Sequence, residues 1–216
     1  MTSTRRAALL PVSFFERPTD VVARELIGRV LVSGTGTQRT VGRIVETEAY
    51  LGHRDPASHG FANRRHGRNE TLYAAPGTWY VYLSYGVHWC ANLVCERETN
   101  AGAVLLRALE PIDGLAVMRV RRGTAAGRDL RLAAGPARLC QAMGIDRALD
   151  GHDLTLGERL FIADVSPGAR DRIARTGIVT GPRIGVAYAG ADWASRPWRF
   201  GVRGHPSLSR PFPLEP

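Results

Sequence analysis

Two carboxylates and an aromatic ring lie close together in residues 43–50, which read Arg-Ile-Val-Glu-Thr-Glu-Ala-Tyr. The β-branched residues and the alternation of this stretch predict a strand. One face of that strand would carry Ile44, Glu46, Glu48 and Tyr50. A carboxylate is costly to desolvate, so two of them one pleat apart need partners, water or a chemical task. These residues alone leave two interpretations open, an edge strand with solvated glutamates and a catalytic site.

Five residues elsewhere in the chain have side chains suited to the same chemistry, namely His59, Tyr82, Tyr85, Asn92 and Arg107. Each also has an ordinary explanation, because loop histidines are usually solvated and hairpin tyrosines usually pack across strands. Asn92 could satisfy backbone groups, and Arg107 could be the counter-ion of Glu48 or Glu110. In a basic chain, however, aromatic residues interleaved with arginines indicate a site for an unstacked base and its phosphates.

The charge of the chain favours a polyanionic partner. Lysine and arginine total 29 of the 216 residues against 20 aspartates and glutamates, which gives a net charge of +9. The sequence contains no lysine, so the basic charge is all arginine. Neutralised phosphates release counterions, and arginine adds bidentate phosphate geometry. The missing lysine also excludes catalysis through a lysine Schiff base.

The sequence has no motif typical of a disulfide-bonded, metal-binding, membrane or secreted protein. Cys90, Cys95 and Cys140 form no C-x-x-C pair, and no spacing of His, Cys or carboxylates resembles a metal site. No apolar run reaches about 18 residues, and residues 1–11 lack the pattern of a signal peptide. We therefore expect a cytoplasmic protein in a reducing compartment, with no metal, no cofactor and no membrane contact.

Hydrophobic periodicity predicts one α+β domain over residues 11–206, with a flexible tail at 1–10 and an irregular tail at 207–216. A hairpin is predicted from strands 78–85 and 87–95, with Tyr80, Tyr82 and Ser84 on one face and Tyr85 near the tip. Further strands are predicted at 29–33, 40–50, 103–107, 160–165, 184–189 and 199–202. Helices are predicted at 20–27 behind a Thr19 N-cap, at 111–121 and at 137–143.

Several motifs accompany these residues in a fixed order. They are residues 43–50, Ser58-His59, Arg68-Asn69, residues 77–86, Asn92, residues 104–111, Gly135-Pro136, Arg196-Pro197 and residues 199–204. This pattern, which runs from about residue 10 to residue 206, resembles the alkyladenine (3-methyladenine) DNA glycosylase family. The resemblance implies a monofunctional base-excision repair enzyme that excises alkylated or deaminated purines from double-stranded DNA and leaves an abasic site. It also implies a mainly antiparallel, curved sheet flanked by helices, with a protruding β-hairpin that enters DNA.

The resemblance further implies roles for single residues. Glu48 would be the general base that activates a water for attack on the deoxyribose C1′, and Arg107 would position that water and the sugar phosphate. Glu48 is preferred to Glu46 because it occupies the catalytic position of the family. Tyr50 and Tyr82 would sandwich the flipped base, His59 would line the pocket, Asn92 would crowd the purine 2-position, and Tyr85 would enter the minor groove. The predicted DNA-binding arginines are Arg64, Arg65, Arg68 and Arg138.

Two alternatives remain open from the sequence. A noncatalytic nucleic-acid-binding module could use the same basic face and the Tyr85 wedge without hydrolysis. An enzyme acting on RNA or free nucleosides would be insensitive to duplex DNA. For the glycosylase we expect a monomer without an obligate protein partner, associated with the nucleoid when it binds DNA.

Overall fold

An antiparallel sheet runs through the computed structural model, which describes residues 8–97, 99–165 and 176–213. Its strands are β1 Val30–Ser33, β2 Thr40–Leu51, β3 Trp79–Ser84, β4 His88–Cys95, β5 Gly102–Asp113, β6 Leu160–Ala163, β7 Ile178–Gly181 and β8 Arg199–Val202. The order across the sheet is β3-β4-β5-β2-β1-β6, with β8 paired to β2 and β7 paired to β8. The curved antiparallel sheet and the α+β class agree with the predicted fold.

The β2 strand lies in the middle of the sheet and is mostly buried. One edge pairs with β5, while the other edge pairs first with β1 and then with β8. The pairing with β5 changes register on both sides of Glu46, and this interrupts the simple alternation of faces. Ile44 and Val45 both pack into the main hydrophobic core as a result. The prediction that Ile44 shares a face with Glu46 is therefore wrong.

The β5 strand is longer than predicted and continues to Asp113. Arg107 therefore lies within the strand instead of ending it. Pro111 still pairs with Gly42, so the prediction that it opens a helix is wrong. A proline is tolerated near the end of a strand because its missing N–H removes only one ladder bond. The turn comes at Gly114, whose φ of +73° suits glycine, and the next helix follows it.

Five short helices pack around the sheet in the described residues: α1 Val12–Phe15, α2 Thr19–Leu26, α3 Leu115–Arg122, α4 Pro136–Met143 and α5 Ala191–Ser195. The α2 helix is docked on β2, where the Thr47 hydroxyl donates to the Ala23 carbonyl at 2.8 Å. Thr19 is the first helical residue and not the predicted N-cap, because its hydroxyl donates to Glu96 at 2.6 Å. Pro136 begins α4, as its fixed φ favours.

The predicted strand at 184–189 is wrong. Gly185 and Gly190 both have positive φ, and a 3-10 helix at Ala187–Ala189 lies between them. The strand in this part of the chain is instead β7, which the sequence pattern did not indicate. Ile184, Val186 and Tyr188 of this segment line a cavity instead of extending the sheet.

Both predicted tails contact the domain where they are described. Leu9 forms a β-bridge with Ala163, and Leu10 is buried, so packing begins before residue 11. Residues 207–213 have no regular structure, and Ser209 contacts the buried Glu46. Residues 1–7 and 214–216 lie outside the described residues. Among the described helices, none has the length and apolar character needed to cross a bilayer.

Candidate active site

A cavity of about 460 Å³ opens beside the hairpin of β3 and β4. Its lining contains every residue predicted for the base pocket, namely Tyr50, His59, Tyr82 and Asn92. Tyr85 and Arg107 also line it, whereas Glu48 is fully buried behind them. The volume falls in the range of about 300–1,000 Å³ that is typical of ligand pockets. The fold thus gathers residues from four strands and two loops at one place.

Three rings form part of the cavity wall, and we call Tyr80, Tyr82 and His59 the aromatic wall. The rings of Tyr80 and Tyr82 stack with their centroids 5.3 Å apart, and His59 meets Tyr82 edge to face at 4.5 Å. His59 Nδ1 and the Tyr80 hydroxyl share a hydrogen bond of 2.8 Å. Alternate residues of a strand face the same side, so Tyr80, Tyr82 and Ser84 line the cavity together, as predicted.

The aromatic wall is uncharged near neutral pH. Burial lowers the pKa of His59, and the nearby His66 lowers it further. Although one side of His59 is open to the cavity, its neutral form is therefore favoured. Burial is also the main reason why the pKa values of Tyr80 and Tyr82 are raised. Such a wall can face a flat base, including a cationic one, without charge repulsion.

The loop that carries His59 is braced by Asn69. Its side chain is almost fully buried, and Nδ2 donates to the carbonyls of His59 at 2.8 Å and Arg64 at 2.7 Å. Its Oδ1 accepts the N–H of His66 at 2.8 Å. These bonds give the Arg68-Asn69 motif a structural explanation, because they fix the position of His59 at the cavity.

The hairpin tip is a tight turn with a strained tyrosine. The Val87 N–H donates to the Ser84 carbonyl at 3.0 Å, and the central residues Tyr85 and Gly86 have φ values of +51° and +69°. Positive φ at both positions is typical of the type I′ turn, which matches the twist of paired strands. Glycine adopts it freely, whereas a non-glycine residue is strained by about 1–3 kcal/mol. Tyr85 is nevertheless 93% exposed.

Asn92 lies on β4 and is buried at the cavity lining. Its Nδ2 donates to the carbonyl of Tyr80, directly across the hairpin, at 3.1 Å. This bond fixes the amide, so its position at the cavity is rigid. Asn92 therefore satisfies a backbone carbonyl and also lines the cavity, so the two predicted positions are not exclusive.

The Glu48 carboxylate is held by three residues that themselves line the cavity. Its Oε1 accepts the backbone N–H of Ile184 at 2.7 Å. Its Oε2 accepts the Tyr50 hydroxyl at 2.8 Å and Arg107 Nη1 at 3.1 Å. Burial and the adjacent Glu48 charge raise the pKa of Tyr50, so its phenol keeps the proton that it donates. A carboxylate has about four acceptor positions, and these contacts use three of them, one on Oε1 and two on Oε2.

A group of ionised and polar residues behind the cavity is here called the charged cluster and consists of Glu46, Glu48, Arg107, Arg199 and Ser209. Arg107 donates from Nε to Glu46 at 3.2 Å, and Arg199 donates from Nη1 to the same carboxylate at 3.2 Å. Burial acts to lower the pKa of Arg107, but the Glu48 and Glu46 charges outweigh it and raise the pKa. Two carboxylates thus face two guanidinium groups, which offsets the cost of burying them.

A second buried ion pair supports Tyr50. Arg183 and Asp55 are both fully buried and bond through two contacts, one of them between Nη2 and Oδ1 at 2.9 Å. The Arg183 guanidinium also lies over the Tyr50 ring at 4.7 Å from its centroid, and its Nη1 donates to the Ala49 carbonyl at 3.0 Å. The Tyr50 ring is therefore fixed against a rigid support.

The predicted DNA-binding arginines lie on the outside of the protein. Arg64 and Arg68 are exposed on the loop after His59, and Arg138 is exposed on α4, two residues after the cavity residue Pro136. Arg65 is also exposed, but it pairs with Glu70. The four positions are therefore accessible to a large partner.

Sequence reasoning missed several cavity and cluster residues. Tyr80 could have been found, because it alternates with Tyr82 on the same strand. Ile184 and Tyr188 line the cavity from the loop that was predicted as a strand, and Tyr188 is 71% exposed with its hydroxyl donating to the Ala57 carbonyl at 3.2 Å. Ser209 lies in the predicted irregular tail and carried no signal.

Comparisons with known proteins match almost the whole chain to the family that its motifs resemble. Residues 13–206 match the sequence profile of the family described as methylpurine-DNA glycosylase. A Methanocella arvoryzae protein, provisionally named 3-methyladenine DNA glycosylase, is 43% identical over 205 residues, which cover 95% of this chain and 98% of that relative. A Rhodopseudomonas palustris protein with the same provisional name is 47% identical over 206 residues, or 95% of this chain and 90% of the relative. Human DNA-3-methyladenine glycosylase is 40% identical over 211 residues, or 93% of this chain and 67% of the human protein. The chain therefore belongs to the methylpurine-DNA glycosylase family, as its motifs predicted.

Proposed function

We propose that the protein flips alkylated or deaminated purines out of double-stranded DNA and hydrolyses the N-glycosidic bond, leaving an abasic site. The observation that carries this proposal is the position of Glu48, buried directly behind a neutral aromatic cavity that Arg107 helps to line. Membership of the family makes the protein a base-excision repair DNA glycosylase, a hydrolase of N-glycosyl bonds. The noncatalytic binding module left open by the sequence has no support among these relatives.

The cavity offers a flipped base two aromatic partners, Tyr50 and Tyr82, with His59 beside them. Stacking on an aromatic side chain contributes about 1–3 kcal/mol per base. A purine alkylated on a ring nitrogen is cationic, so it also gains a cation–π attraction to these rings. Asn92 is fixed at the lining, where it would crowd an amino group at the purine 2-position and so disfavour normal guanine.

Hydrolysis would proceed by attack of a water on C1′ of the deoxyribose. Glu48 takes a proton from this water through Oε1, and the electron pair of the glycosidic bond leaves with the purine. A cationic purine then departs as a neutral base, whereas a neutral purine such as hypoxanthine departs as an anion that takes up a proton from water. Arg107 uses three of its five N–H donors within the charged cluster, which leaves two for the water or the sugar phosphate.

The exposed tip of the hairpin would support the flipped state from the DNA side. Unstacking a base costs a few kcal/mol, and an inserted aromatic ring replaces part of the lost stacking. Tyr85 supports this role, because its ring is 93% exposed at the hairpin tip and lies beside the cavity. We assign to it the minor-groove insertion, and to Arg64, Arg65, Arg68 and Arg138 the contacts to phosphates.

The proposed reaction uses only Glu48, Arg107 and water, and therefore calls for no cofactor and no protein partner. It is monofunctional, because the lyase chemistry of bifunctional glycosylases commonly uses a lysine amine and the chain has no lysine. We expect a cytoplasmic monomer that associates with the nucleoid when it binds DNA.

The test is single-turnover excision from a labelled duplex with one hypoxanthine, run beside a methylated duplex that contains 3-methyladenine. Strand cutting at the lesion only after alkali treatment is the expected result, and it would rank the two substrates. Tight binding without cutting of either duplex would overturn the hydrolytic function. Equal cutting of single-stranded and duplex substrate would contradict the role given to base flipping from a duplex.

A further inference from the structure

Glu46 is the second carboxylate of β2, and the proposed chemistry gives it no task. Its side chain is fully buried and does not line the cavity. An ionised carboxylate in such a place is costly unless every acceptor position is used. Its contacts therefore indicate what it does for its neighbours.

Within the described ranges, the side chain of Glu46 forms hydrogen bonds with Arg107, Arg199 and Ser209. Its Oε1 accepts Arg107 Nε at 3.2 Å, Arg199 Nη1 at 3.2 Å and the Ser209 hydroxyl at 2.7 Å. Its Oε2 accepts the Ser209 N–H at 2.6 Å. The Ser209 oxygen in turn accepts Arg107 Nη2 at 3.4 Å. Glu46 and Ser209 together thus hold two of the three nitrogens of the Arg107 guanidinium.

A guanidinium is planar, so fixing two of its nitrogens fixes the direction of the third. The third nitrogen of Arg107 is Nη1, which donates to Glu48 at 3.1 Å. We propose that Glu46, together with Ser209, is a positioning residue that orients Arg107 toward Glu48 and the cavity. This inference rests on the proposed function, because it gives Arg107 its place in the reaction.

The same contacts make the end of the chain part of the active site. Ser209 lies outside the predicted domain, yet it contacts both Glu46 and Arg107. Arg199 holds the two residues that follow Ser209 in the chain. It donates from Nη1 to the Arg210 carbonyl and from Nη2 to the Pro211 carbonyl, both at 3.2 Å. A segment without regular structure is in this way held against β2 and β8.

A merely structural role for Glu46 would have a different signature. Losing a structural contact lowers stability and weakens every property of the site together. A positioning role through Arg107 changes the rate of the chemical step, leaves lesion binding in place and disappears when Arg107 is absent. A double-mutant cycle therefore separates the two.

The experiment compares Glu46→Gln, Arg107→Met and the double variant in single-turnover excision of hypoxanthine from duplex DNA. Affinity is measured separately on a duplex whose lesion nucleotide carries a 2′-fluoro group that blocks hydrolysis. Ser209→Ala removes only the hydroxyl and serves as a milder second variant if Glu46→Gln folds poorly. Glu110→Gln is the matched control, because Glu110, on β5, likewise pairs with an arginine, Arg43 at 3.0 Å, but away from the cavity lining.

We expect Glu46→Gln to slow excision by about 10- to 100-fold, the scale of a misplaced catalytic group, with affinity almost unchanged. Ser209→Ala should slow it about 5-fold, as for the loss of one hydrogen bond. The double variant should match Arg107→Met within about 2-fold, and Glu110→Gln should match the wild type.

Two different failures can be told apart. If Arg107→Met excises at the wild-type rate, the role of Arg107 in the proposed function fails. If Arg107→Met is slow but Glu46→Gln and Ser209→Ala are both at the wild-type rate, only the present inference is overturned. Independent, multiplying losses in the double variant would also overturn it.

Discussion

The aromatic wall and the charged cluster both adjoin the cavity, but they are built from opposite kinds of side chain. The wall is neutral, partly open to the cavity and held by ring contacts and by the hydrogen bond between His59 and Tyr80. In the cluster both glutamates are fully buried, and they are bonded to Arg107 and Arg199. One region is suited to receiving a base, and the other to holding paired charges away from bulk solvent.

The difference follows from the cost of desolvation. Tyrosine and neutral histidine can border an empty or an occupied cavity at little cost, so the wall can exchange water for a base. Buried charges must be matched by partners at all times, so the cluster has to be preorganised before the substrate arrives. Changes in the cluster should therefore affect the chemical step, whereas changes on the cavity side should affect the holding of the base.

The largest expected effect comes from Glu48→Gln in the charged cluster. The amide keeps the size of the side chain and an oxygen for the Ile184 N–H, but it is not a base. Loss of a general base slows a reaction by about 10²- to 10⁴-fold, so we expect excision of hypoxanthine to fall to the lower limit of detection. Affinity for the same duplex with a 2′-fluoro lesion nucleotide should change by less than about 3-fold, because the stacking partners are intact.

The control for this variant is again Glu110→Gln, which removes one negative charge from a pair that lies away from the cavity lining. It separates the loss of the base from a general change in charge. An equal loss of rate and affinity in Glu48→Gln would break the division between the two regions. Turnover like that of the wild type would remove Glu48 from the mechanism.

A smaller effect is expected on the cavity side from Tyr85→Ala at the hairpin tip. Alanine carries nearly the same left-handed strain as tyrosine, so this change isolates the ring from the turn conformation. Losing an inserted ring should weaken both lesion binding and single-turnover excision by about 10- to 100-fold, because it lowers the flipped population. Tyr85→Phe keeps the ring and should retain both properties, and unchanged values in Tyr85→Ala would remove the assigned role.

The sequence was most informative where local rules govern structure. The hairpin and the shared face of Tyr80, Tyr82 and Ser84 follow from the two-residue period of a strand, which no distant contact altered. The position of Tyr85 at the tip followed from the adjacent glycine. The cavity residues Tyr50, His59, Tyr82 and Asn92 came from motifs whose members the fold brings together.

The charged cluster was the hardest part to predict, because its partners are far apart in the chain. Ser209 contacts Glu46 across 163 positions, and Arg199 contacts it across 153. The register shifts beside Glu46 depend on the pairing with β5 and cannot be read from β2 alone. The loop at 184–189 was misassigned for a similar reason, since Gly185 and Gly190 take positive φ values that its apolar pattern does not reveal.

The smallest expected effect tests whether the aromatic wall is neutral, through the pH dependence of stability. Burial lowers the pKa of His59 in the folded protein, so below about pH 6.5 the unfolded chain binds more protons at this residue. Stability contributed by neutral His59 is present above that pH and is lost as the pH falls through it. The ring is partly exposed, so this loss should lower Tm by less than about 2 °C. His59→Asn should therefore show a shallower fall in Tm between pH 7 and pH 5 than the wild type. His205→Asn is the positive control and should change in the same direction, because burial lowers that pKa too. A steeper fall in His59→Asn would mean that the wall carries a protonated histidine, and the contrast with the charged cluster would then be lost.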